Sequence, residues 1–278
     1  MAGDTGIEWT NKTWNPLQGC TKYGPGCLNC YIFPIIARFG ASWGRPPGDP
    51  GRVLTAPHKL TEPLRMKKSY DIFANSMSDL FQLGVSDLFI FAVCRAMQLA
   101  NWHRYQVLTK RAERLQALLN GRLREFASCP HIWWGVSVEN RSHGLPRIDC
   151  LRDTPAAVKF LSVEPLLEDL GRINLSGIDW VIVGGESGPG ARPMAADWVR
   201  NVQDQCLNAN VPFFFKQWGG VRKKKTGRLL DGQTYDEIPD IAAGPVPTAR
   251  ERKALIAQYE AEFGHLGLHR RSPPPAAA

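Results

Sequence analysis

The sequence has no long apolar segment. Its longest uninterrupted apolar run covers residues 88–94, whereas a membrane-spanning helix needs about 18 or more apolar residues. The start of the chain, MAGDTGIEW, also lacks the basic segment and following apolar stretch that are typical of a secretory signal. We therefore expect no membrane association and a cytoplasmic location.

Two common phosphate-binding motifs are also missing. The glycine-rich residues 184–190, GGESGPG, do not have the G-x-G-x-x-G spacing of a dinucleotide-binding loop, and no Gly-Lys-Ser/Thr follows them as in a P-loop. The seven cysteines are an odd number, which in a cytoplasmic chain argues against a disulfide framework. We therefore expect the cysteines to bind a metal, to take part in redox chemistry or to pack in the core.

What the chain does contain is the composition of a folded protein with excess positive charge. Of its 278 residues, 44% are hydrophobic and 22% charged, which excludes a disordered or fibrous polymer. Lys and Arg outnumber Asp and Glu by 34 to 26, a formal net charge of +8 that favours a polyanionic partner. We expect one large domain over residues 1–237, and a linker, a helix and a disordered tail over residues 238–278.

Short apolar runs recur along the chain and alternate with segments of helical periodicity. The runs begin at Ile72, Tyr105, His131, Val158, Trp180 and Pro212. Each run is typical of a buried strand, and helical spacing such as that of Leu115, Leu118 and Leu119 lies between them. This alternation predicts βαβ units, a parallel sheet and hence an α/β protein.

Polar residues follow every one of these predicted strands. They occupy residues 75–79, 109–111, 137–139, 162–164, 184–187 and 216–218. In a (β/α) barrel the carboxyl ends of all strands meet on one face, whereas in an open sheet they lie along a line. We favour a partial or complete (β/α) barrel with a C-terminal helical extension, in which these clusters surround one pocket.

Three cysteines with the spacing C-x6-C-x2-C surround a Gly-Pro-Gly turn: Cys20, Cys27 and Cys30. Thiolates are preferred ligands of zinc and of iron–sulfur clusters. A structural zinc site usually has four protein ligands, and no fourth cysteine lies nearby, whereas a 4Fe–4S cluster held by three cysteines leaves one iron open. We interpret Cys94 and Cys206 as core residues, and either Cys129 or Cys150 stays open as a fourth ligand.

The position of this trio after the first strand of a partial barrel resembles the radical S-adenosylmethionine (radical SAM) superfamily. That superfamily usually has C-x3-C-x2-C with an aromatic residue before the last cysteine, whereas here the first spacer is longer, Asn29 takes that place and Tyr31 follows. The resemblance implies a 4Fe–4S cluster on the three cysteines and S-adenosylmethionine (SAM) on the open iron. One electron from an external donor, a flavodoxin-like protein or a chemical reductant, would cleave SAM to a 5′-deoxyadenosyl radical that abstracts a substrate hydrogen.

Longer motifs resemble a narrower family, the three-cysteine-motif family of bacteriophages and prophages, which has no assigned function. The motifs are residues 7–10 (IEWT), 75–81 (NSMSDLF), 107–111 (VLTKR), 135–139 (GVSVE), 181–188 (VIVGGESG) and 214–219 (FFKQWG). The resemblance implies nucleic-acid modification or repair, in the host cytoplasm if the protein is phage-encoded.

The radical SAM resemblance implies cofactor contacts at the strand ends. Polar groups after the second strand would bind the methionyl ammonium, and those after later strands the ribose and the surroundings of the carboxylate. The expected cofactor-binding residues are Asn75, Ser76, Ser78, Asp79, Ser137, Glu139, Ser162, Glu164, Gly184 and Gly185. The two glycines would let the backbone approach the ligand closely.

The remaining polar strand ends are candidates for contact with the substrate. The expected catalytic residues are Glu186, Ser187, Lys216 and Gln217. The expected substrate-binding residues are Lys110, Arg111, Arg192, Trp218, Lys223, Lys224 and Lys225. Arg and Lys position phosphates and Trp stacks on a base, although the lysines also fit a solvated surface. Trp9, Trp14, Trp133 and Trp134 are interpreted as core residues.

We therefore expect a radical SAM enzyme of the isomerase or lyase type that modifies or rearranges a DNA base in a phage. One alternative is a DNA lesion repair lyase resembling spore photoproduct lyase. The other is a non-catalytic nucleic-acid-binding protein with a structural zinc in the three-cysteine segment. The sequence leaves open whether the substrate is DNA, RNA or a free nucleotide.

Overall fold

The structure, a computed structural model, describes residues 3–40 and 52–269. Within these ranges, eight strands lie side by side in one sheet in chain order: β1 (Gly3–Asp4), β2 (Lys12–Trp14), β5 (Asp71–Ala74), β6 (Arg104–Thr109), β7 (Ile132–Ser137), β8 (Val158–Val163), β9 (Trp180–Gly184) and β10 (Phe213–Gln217). β1 is antiparallel to β2, and all later neighbours are parallel. A separate antiparallel pair is formed by β3 (Leu17–Gln18) and β4 (Leu54–Thr55).

Helices connect most of the parallel strands. They are α1 (Ile32–Phe39), α2 (Glu62–Arg65), α3 (Asp87–Leu99), α4 (Ala112–Asn120), α5 (Arg124–Ala127), α6 (Arg141–Arg152), α7 (Ala196–Asn208), α8 (Lys223–Thr226) and α9 (Ala249–Phe263). The predicted helical spacing of Leu115, Leu118 and Leu119 is the buried face of α4. In the described part of the chain, no helix combines the length and the apolar composition that crossing a membrane requires.

The two faces of the sheet have different cores, because successive residues of a strand point to opposite sides. On the outer face, strand residues such as Val107 and Trp134 pack with the helices. On the inner face lies a separate cluster, which we call the aromatic floor: Trp9, Trp133, Val158, Phe160, Trp180, Ile182 and Phe214. The four tryptophans predicted as core residues are all buried, so that prediction is confirmed.

The barrel is open on one side. Among the described residues no pairing joins β10 to β1. The free edge of β10 is covered by a later segment of the chain, since Phe215 N donates to the Tyr235 carbonyl at 2.9 Å and Phe213 N to Glu237 Oε2 at 2.8 Å. Covering an edge strand in this way satisfies its exposed backbone groups. The predicted α/β fold is confirmed as a partial (β/α) barrel, and the six predicted strands coincide with β5 to β10.

The predicted C-terminal helix is present as α9. It begins at a capping box formed by Thr248 and Glu251, and the buried Tyr259 hydroxyl donates to the Ala92 carbonyl of α3 at 2.8 Å. Ile238, just beyond the predicted domain boundary, packs against the aromatic floor, and the boundary itself stays a prediction. The residues predicted as the end of the tail, 270–278, lie outside the described residues.

Candidate functional site at the cysteine loop

Residues 20–30 contain the three cysteines and are called the cysteine loop. The loop lies between β3 and α1, and Gly19 at its start forms a parallel bridge with Ser78, just after β5. Its second half is closed by a short 3-10 turn, in which Cys27 N donates to the Gly24 carbonyl at 3.0 Å. The loop therefore sits at the carboxyl ends of the parallel strands, where barrel proteins carry their functional groups.

The ends of β5 and β6 hold the start of the loop through a buried ion pair. Asp79 Oδ2 accepts a hydrogen bond from Arg111 Nη1 at 2.7 Å, and the side chains are 8% and 7% exposed. Asp79 Oδ1 accepts from the Thr109 hydroxyl at 2.7 Å. Arg111 also donates to the carbonyl and hydroxyl of Thr21, at 3.2 and 3.0 Å. Asp79 and Arg111 thus bind each other and anchor the loop, and their expected ligand contacts stay predictions.

The end of β7 contributes a second pair beneath the loop. Glu139 is fully buried, and its Oε2 accepts from Arg147 Nη1 at 2.5 Å. Arg147 Nη1 also donates to the Ser137 carbonyl at 2.8 Å, and the guanidinium carbon lies 5.6 Å from the centroid of the Tyr23 ring. The other carboxylate oxygen, Glu139 Oε1, is buried without a hydrogen-bond partner. Only one of the two carboxylate oxygens of Glu139 is therefore hydrogen-bonded.

The end of β9 contributes a third pair. Glu186 accepts from Arg192 Nε and Nη2, at 2.9 and 2.6 Å, and from Asn29 Nδ2 at 3.0 Å. Arg192 Nη2 also donates to the Pro25 carbonyl at 2.9 Å. Burial raises the pKa of Glu186, but the hydrogen bonds from Arg192 and Asn29 outweigh it and hold that pKa below its ordinary value. Glu186 and Arg192 thus connect the barrel to the second half of the loop.

The thiols of the cysteine loop are free and partly buried. Burial, with a further contribution from the Asp79 carboxylate, raises the pKa of Cys20 to about 12, and burial also raises the pKa of Cys30. The thiols of Cys20 and Cys30 are therefore protonated at neutral pH, so a metal that binds these two displaces protons. Among the described residues, no three His, Cys, Asp or Glu side chains converge as ligands of a single ion. Three soft donors on one held loop do fit a cluster, whose irons take one thiolate each.

The remaining cysteines lie away from the cysteine loop. Cys94 and Cys206 are buried in the outer core, as predicted. Cys129 lies before β7, at the amino end of the sheet, where its Sγ donates to the Glu125 carbonyl at 3.6 Å. Cys150 is in α6, in the helical layer. In this structure neither is placed to be a fourth ligand.

The turn after β5 packs directly against the loop. Asn75 has a positive φ of 62° and is 2% exposed, and its backbone N–H donates to the Trp14 carbonyl at 2.8 Å. The Ser78 hydroxyl donates to Asn75 Oδ1 at 3.2 Å, and the Tyr31 hydroxyl donates to the Ser76 carbonyl. The side-chain nitrogen of Asn75 is buried and unpartnered. The expected cofactor residues of this turn therefore lie beside the cysteines.

Above the aromatic floor, the inner face becomes polar. Ser137 and Ser162 are buried there, and Glu164 Oε1 lies 2.9 Å from Lys216 Nζ. This ion pair spans from β8 to β10 across Gly184 of β9. A Cβ at Gly184 would lie 2.5 Å from Glu164 Oε1. The glycine thus makes room for a carboxylate of the protein itself, whereas the sequence predicted that it makes room for a ligand.

The other catalytic and substrate candidates cluster where β9 and β10 end. Gln217 Nε2 donates to the Ser187 hydroxyl at 2.5 Å, and Gln217 Oε1 is buried without a partner. A Cβ at Gly185 would lie 2.0 Å from the Trp218 carbonyl oxygen, so this glycine also accommodates the chain. The Trp218 indole donates to the Leu229 carbonyl at 2.8 Å. Trp218 is thus held by its own chain, and base stacking by it stays a prediction.

The basic candidates lie at two places. Lys110 follows β6 and is close enough to Cys30 to favour its thiolate, although burial raises the pKa of that thiol overall. The other place is the short helix α8, which contains Lys223, Lys224 and Lys225. α8 follows Gly220, whose backbone is bridged to Ser187. The basic helix therefore flanks the ends of β9 and β10.

Three buried polar atoms at these strand ends have no hydrogen-bond partner among the described residues: Asn75 Nδ2, Glu139 Oε1 and Gln217 Oε1. They come from the ends of β5, β7 and β10. Buried polar groups are nearly always paired, and an unsatisfied one costs about 1–3 kcal/mol. One donor and two acceptors at the carboxyl ends of the strands are thus the pattern of a site that takes a polar ligand.

Comparison with known proteins identifies the family. Residues 4–239 match the family described as "Protein of unknown function (DUF5131)". The chain belongs to the DUF5131 family. The matched region includes the cysteine loop and every strand from β2 to β10. A search of curated proteins finds no match to this DUF5131 chain.

Among solved structures, the DUF5131 chain is similar to spore photoproduct lyase. The complex of that enzyme with a dinucleoside spore photoproduct has a TM-score of 0.43 and 13% identity, covering 95% of this chain and 76% of the other. A mutant of the enzyme with bound AdoMet and the same dinucleoside has a TM-score of 0.42 and 12% identity, with the same coverage.

Sequence reasoning missed three contacts of the DUF5131 site. Arg147 lies in the mostly polar helix α6, and nothing in the sequence around it distinguishes it from an arginine on a helix surface. Tyr23 and Asn29 belong to the cysteine loop but had no assigned partner. The usable signal was the Gly-Pro-Gly turn, because Pro25 is the residue whose carbonyl Arg192 binds.

Proposed function

We propose that this protein is a radical SAM enzyme that acts on nucleic acid. The observation that carries the proposal is the cysteine loop at the carboxyl edge of the partial barrel. Three carboxylate–arginine pairs of the barrel hold this loop in place, and three buried, unpartnered polar atoms lie at the same edge of the sheet. An incomplete set of thiols beside an unsatisfied polar surface suits a cluster that binds a polar cofactor.

The cysteine loop would hold a 4Fe–4S cluster through Cys20, Cys27 and Cys30 and leave one iron for SAM. When bound, these groups supply one-electron cleavage of SAM and hydrogen abstraction from the substrate, with the electron taken from an external donor such as a flavodoxin-like protein. The chain itself holds the three thiols at a defined spacing. Its aromatic floor closes the inner face from below, which limits access of water.

The polar end of SAM is assigned to the unpartnered atoms nearest the loop. Asn75 Nδ2 is a donor suited to a carboxylate, and Glu139 Oε1 is an acceptor suited to an ammonium group. Both atoms are buried, so a ligand that pairs them removes an existing cost. The other proposed cofactor residues lie on the same edge: Ser76, Ser78, Asp79, Ser137, Ser162 and Glu164. Gly184 and Gly185 are not among them, because the chain itself fills their side-chain space.

The substrate is assigned to the polar layer above the aromatic floor. Lys110 brings positive charge beside Cys30, and the exposed Lys225 brings it to the ends of β9 and β10, whereas the charge of Lys216 is paired with Glu164. Together with the net charge of +8, these groups favour a phosphate-bearing substrate. We assign it as a DNA base that is modified or rearranged, in a phage setting. Reversal of a DNA lesion is the alternative reaction at the same site.

The catalytic assignments concern groups around the substrate layer. Lys216 is paired with Glu164 and is a donor placed on the inner face. Gln217 and Ser187 are hydrogen-bonded to each other and would orient the substrate together. Glu186 is held ionised by Arg192, so its role is to fix the loop and the substrate arginine in place.

The deciding experiment is anaerobic purification with iron, sulfide and zinc analysis, followed by EPR of the reduced protein. We expect a 4Fe–4S signal that shifts when SAM is added. Reductive SAM cleavage is then measured with undamaged, modified and ultraviolet-damaged DNA, which separates base modification from lesion repair. Stoichiometric zinc without a cluster signal would end the radical proposal and support the zinc-stabilised binding protein.

Substitution of one loop cysteine tests the ligand set. In Cys27→Ala, we expect loss of the cluster and of SAM cleavage, because two thiolates leave a second iron unligated. The far-ultraviolet circular dichroism spectrum and the melting temperature of the barrel should change little. Cys150→Ala is the matched control, since Cys150 is also half-buried but lies in α6. A Cys27→Ala protein with wild-type iron content would refute the assignment.

A further inference from the structure

Three carboxylate–arginine pairs reach the cysteine loop from three different parts of the barrel. The pairs are Asp79–Arg111, Glu139–Arg147 and Glu186–Arg192. Arg111 donates to Thr21, the guanidinium groups of Arg111 and Arg147 lie 5.0 and 5.6 Å from the Tyr23 ring, and Arg192 donates to the Pro25 carbonyl. Side chains of the barrel therefore contact the loop at three alternate residues.

The middle pair is the most buried of the three. The side chains of Arg147 and Glu139 are 4% and 0% exposed, compared with 7% and 8% in the Arg111–Asp79 pair and 31% for Arg192. Burying an ion pair costs desolvation energy that its attraction often only just repays, so such a pair is weak evidence for stability. Its best-attested use is to specify one arrangement over others. The arrangement in contact with this pair is that of the cysteine loop.

Two loop glycines receive the middle pair. A Cβ at Gly24 would lie 3.1 Å from Glu139 Oε1 and 3.4 Å from Arg147 Nη2. A Cβ at Gly26 would lie 3.2 Å from Glu139 Cγ. Neither glycine has a positive φ, so backbone conformation does not explain the residue type. The side-chain space of both glycines is filled by Glu139 and Arg147.

The helix that carries Arg147 is brought close by a third glycine. A Cβ at Gly144 in α6 would lie 2.7 Å from Val138 Cγ1 and 3.0 Å from Glu139 N. Without a side chain there, α6 packs directly on the end of β7, and Arg147 reaches both the Ser137 carbonyl and Glu139. Helix, strand end and loop are thus fitted together around one buried pair.

The geometry points to Glu139 and Arg147 as positioning residues that hold the cysteine loop in its ligand-ready shape. They act through Gly24 and Gly26 and need not touch iron. The first part of this inference, that the pair holds the loop, is independent of the proposed function. The second part, that the held loop is what receives iron, rests on the proposed function.

Hydrogen–deuterium exchange of the metal-free protein tests the first part. The amides of Cys27 and Cys30 are hydrogen-bonded within the loop, so their exchange reports its opening. In Glu139→Gln and Arg147→Met we expect exchange over residues 20–30 to be at least about tenfold faster, while the strands keep their protection. Arg147→Lys keeps the charge and should restore part of the protection. Unchanged exchange in both variants would overturn the inference.

Iron binding tests the second part. Outer-shell residues that orient metal ligands typically change metal affinity by about 10–100-fold, so we expect iron loading of Arg147→Met to weaken by at least about tenfold. The matched control is Arg152→Gln, because Arg152 is in the same helix and forms an exposed pair with Asp149. Faster loop exchange with wild-type iron loading would refute the second part. A wild-type protein that binds no iron would refute the proposed function, and the exchange result would still decide whether the pair holds the loop.

A second variant covers the case in which the charge variants fail to fold. Gly26→Ala adds only a methyl group, which meets Glu139. We expect Gly26→Ala to speed hydrogen exchange of the loop. In a protein that also carries Glu139→Ala, the added methyl group should have no further effect on exchange, because it no longer meets the glutamate side chain. Additive effects of the two substitutions would show that Glu139 does not act through Gly26.

Discussion

The Glu164–Lys216 pair lies on the inner face of the sheet, directly above apolar side chains. On this face, the buried Ser162 precedes Glu164 along β8, and the buried Phe214 precedes Lys216 along β10. The two charged side chains are each 15% exposed and 2.9 Å apart. They meet because Gly184, on the strand between them, has no side chain. In such a place a charge without its partner strongly destabilises the fold, because little solvent is there to compensate it.

Removal of one member of this pair should therefore destabilise the fold more than removal of both. For Lys216→Met we expect a loss of about 2 kcal/mol in the free energy of unfolding, below the range for completely buried pairs because some solvent remains. The double variant Glu164→Gln with Lys216→Met should recover more than half of that loss. Urea unfolding of the four proteins in a double-mutant cycle measures the coupling. A coupling near zero would mean that solvent, and not Lys216, neutralises Glu164.

At the scale of elements, β7 and β8 show how an aromatic ring replaces a missing side chain. Gly135 pairs in register with Phe160, and a Cβ at Gly135 would lie 2.4 Å from Phe160 Cζ. The ring therefore lies over the glycine and covers its backbone. Glycine weakens a strand, and an aromatic ring across it compensates. The aromatic floor depends on this pairing because Phe160 is one of its members.

Gly135→Ala should strain this junction. We expect a loss of about 1–3 kcal/mol in the free energy of unfolding, the usual range for an overpacked core. Phe160→Leu in the same chain should recover part of it, since a smaller side chain gives way to the methyl group. Gly6→Ala is the control because a Cβ there has nothing within 4 Å. If Gly135→Ala costs no more than Gly6→Ala in chemical denaturation, the ring is free to move aside.

At the scale of the whole molecule, the two ends of the sheet have different tasks. The carboxyl ends hold the cysteine loop and the unpartnered polar atoms. At the amino ends, the buried His103 has hydrogen-bond partners for both of its ring nitrogens. Its Nδ1 accepts from Tyr70 N at 3.2 Å, and its Nε2 lies 3.1 Å from the Pro63 carbonyl. One neutral tautomer, with the proton on Nε2, satisfies both contacts.

This arrangement predicts a pH dependence of stability. Burial lowers the pKa of His103 from 6.5 to about 4, so the folded state prefers the neutral ring. The contribution of His103 to the free energy of unfolding is complete above pH 6.5. It is lost as the pH falls from 6.5 toward 4, because between these values the unfolded state binds a proton on this ring and the folded state does not. Between pH 7 and pH 5 we expect a loss of about 2 kcal/mol. Equilibrium urea unfolding at both pH values measures it.

His103→Gln provides the comparison for this pH profile. Glutamine offers both an acceptor and a donor but does not titrate. The variant should be less stable than the wild type at pH 7 and should lose less stability on acidification. Parallel profiles of the two proteins would assign the pH dependence to other groups, of which His131, whose pKa burial also lowers, is the nearest candidate.

Much of the fold was predictable from local pattern. The apolar runs from Ile72 to Phe215 identified the strands because a buried parallel strand needs a nearly continuous apolar sequence. The polar residues after each run predicted a polar edge of the sheet, because parallel strands end on the same side. Both inferences depend only on neighbours in the chain, and both hold in the structure.

The composition of the site was predictable in part, but its connections were not. The cysteine spacing and the strand ends were visible, and Asp79, Glu139 and Glu186 were all named as site residues. That each carboxylate binds an arginine, and that the arginines grip the cysteine loop, was not visible. Arg147 was missed altogether, and Gly184 and Gly185 were expected to face a ligand.

The sequence by itself determined the strands from β5 to β10, the helices α4 and α9 and the edge at which the cysteines lie, since periodicity and strand direction are local properties. Only the tertiary structure decided which carboxylate meets which arginine, as in Glu186 with Asn29, residues far apart in the chain. Those contacts depend on how far the sheet curls and on the path of the cysteine loop across it. Curvature and loop path arise from the packing of the whole barrel, and no window of sequence contains them.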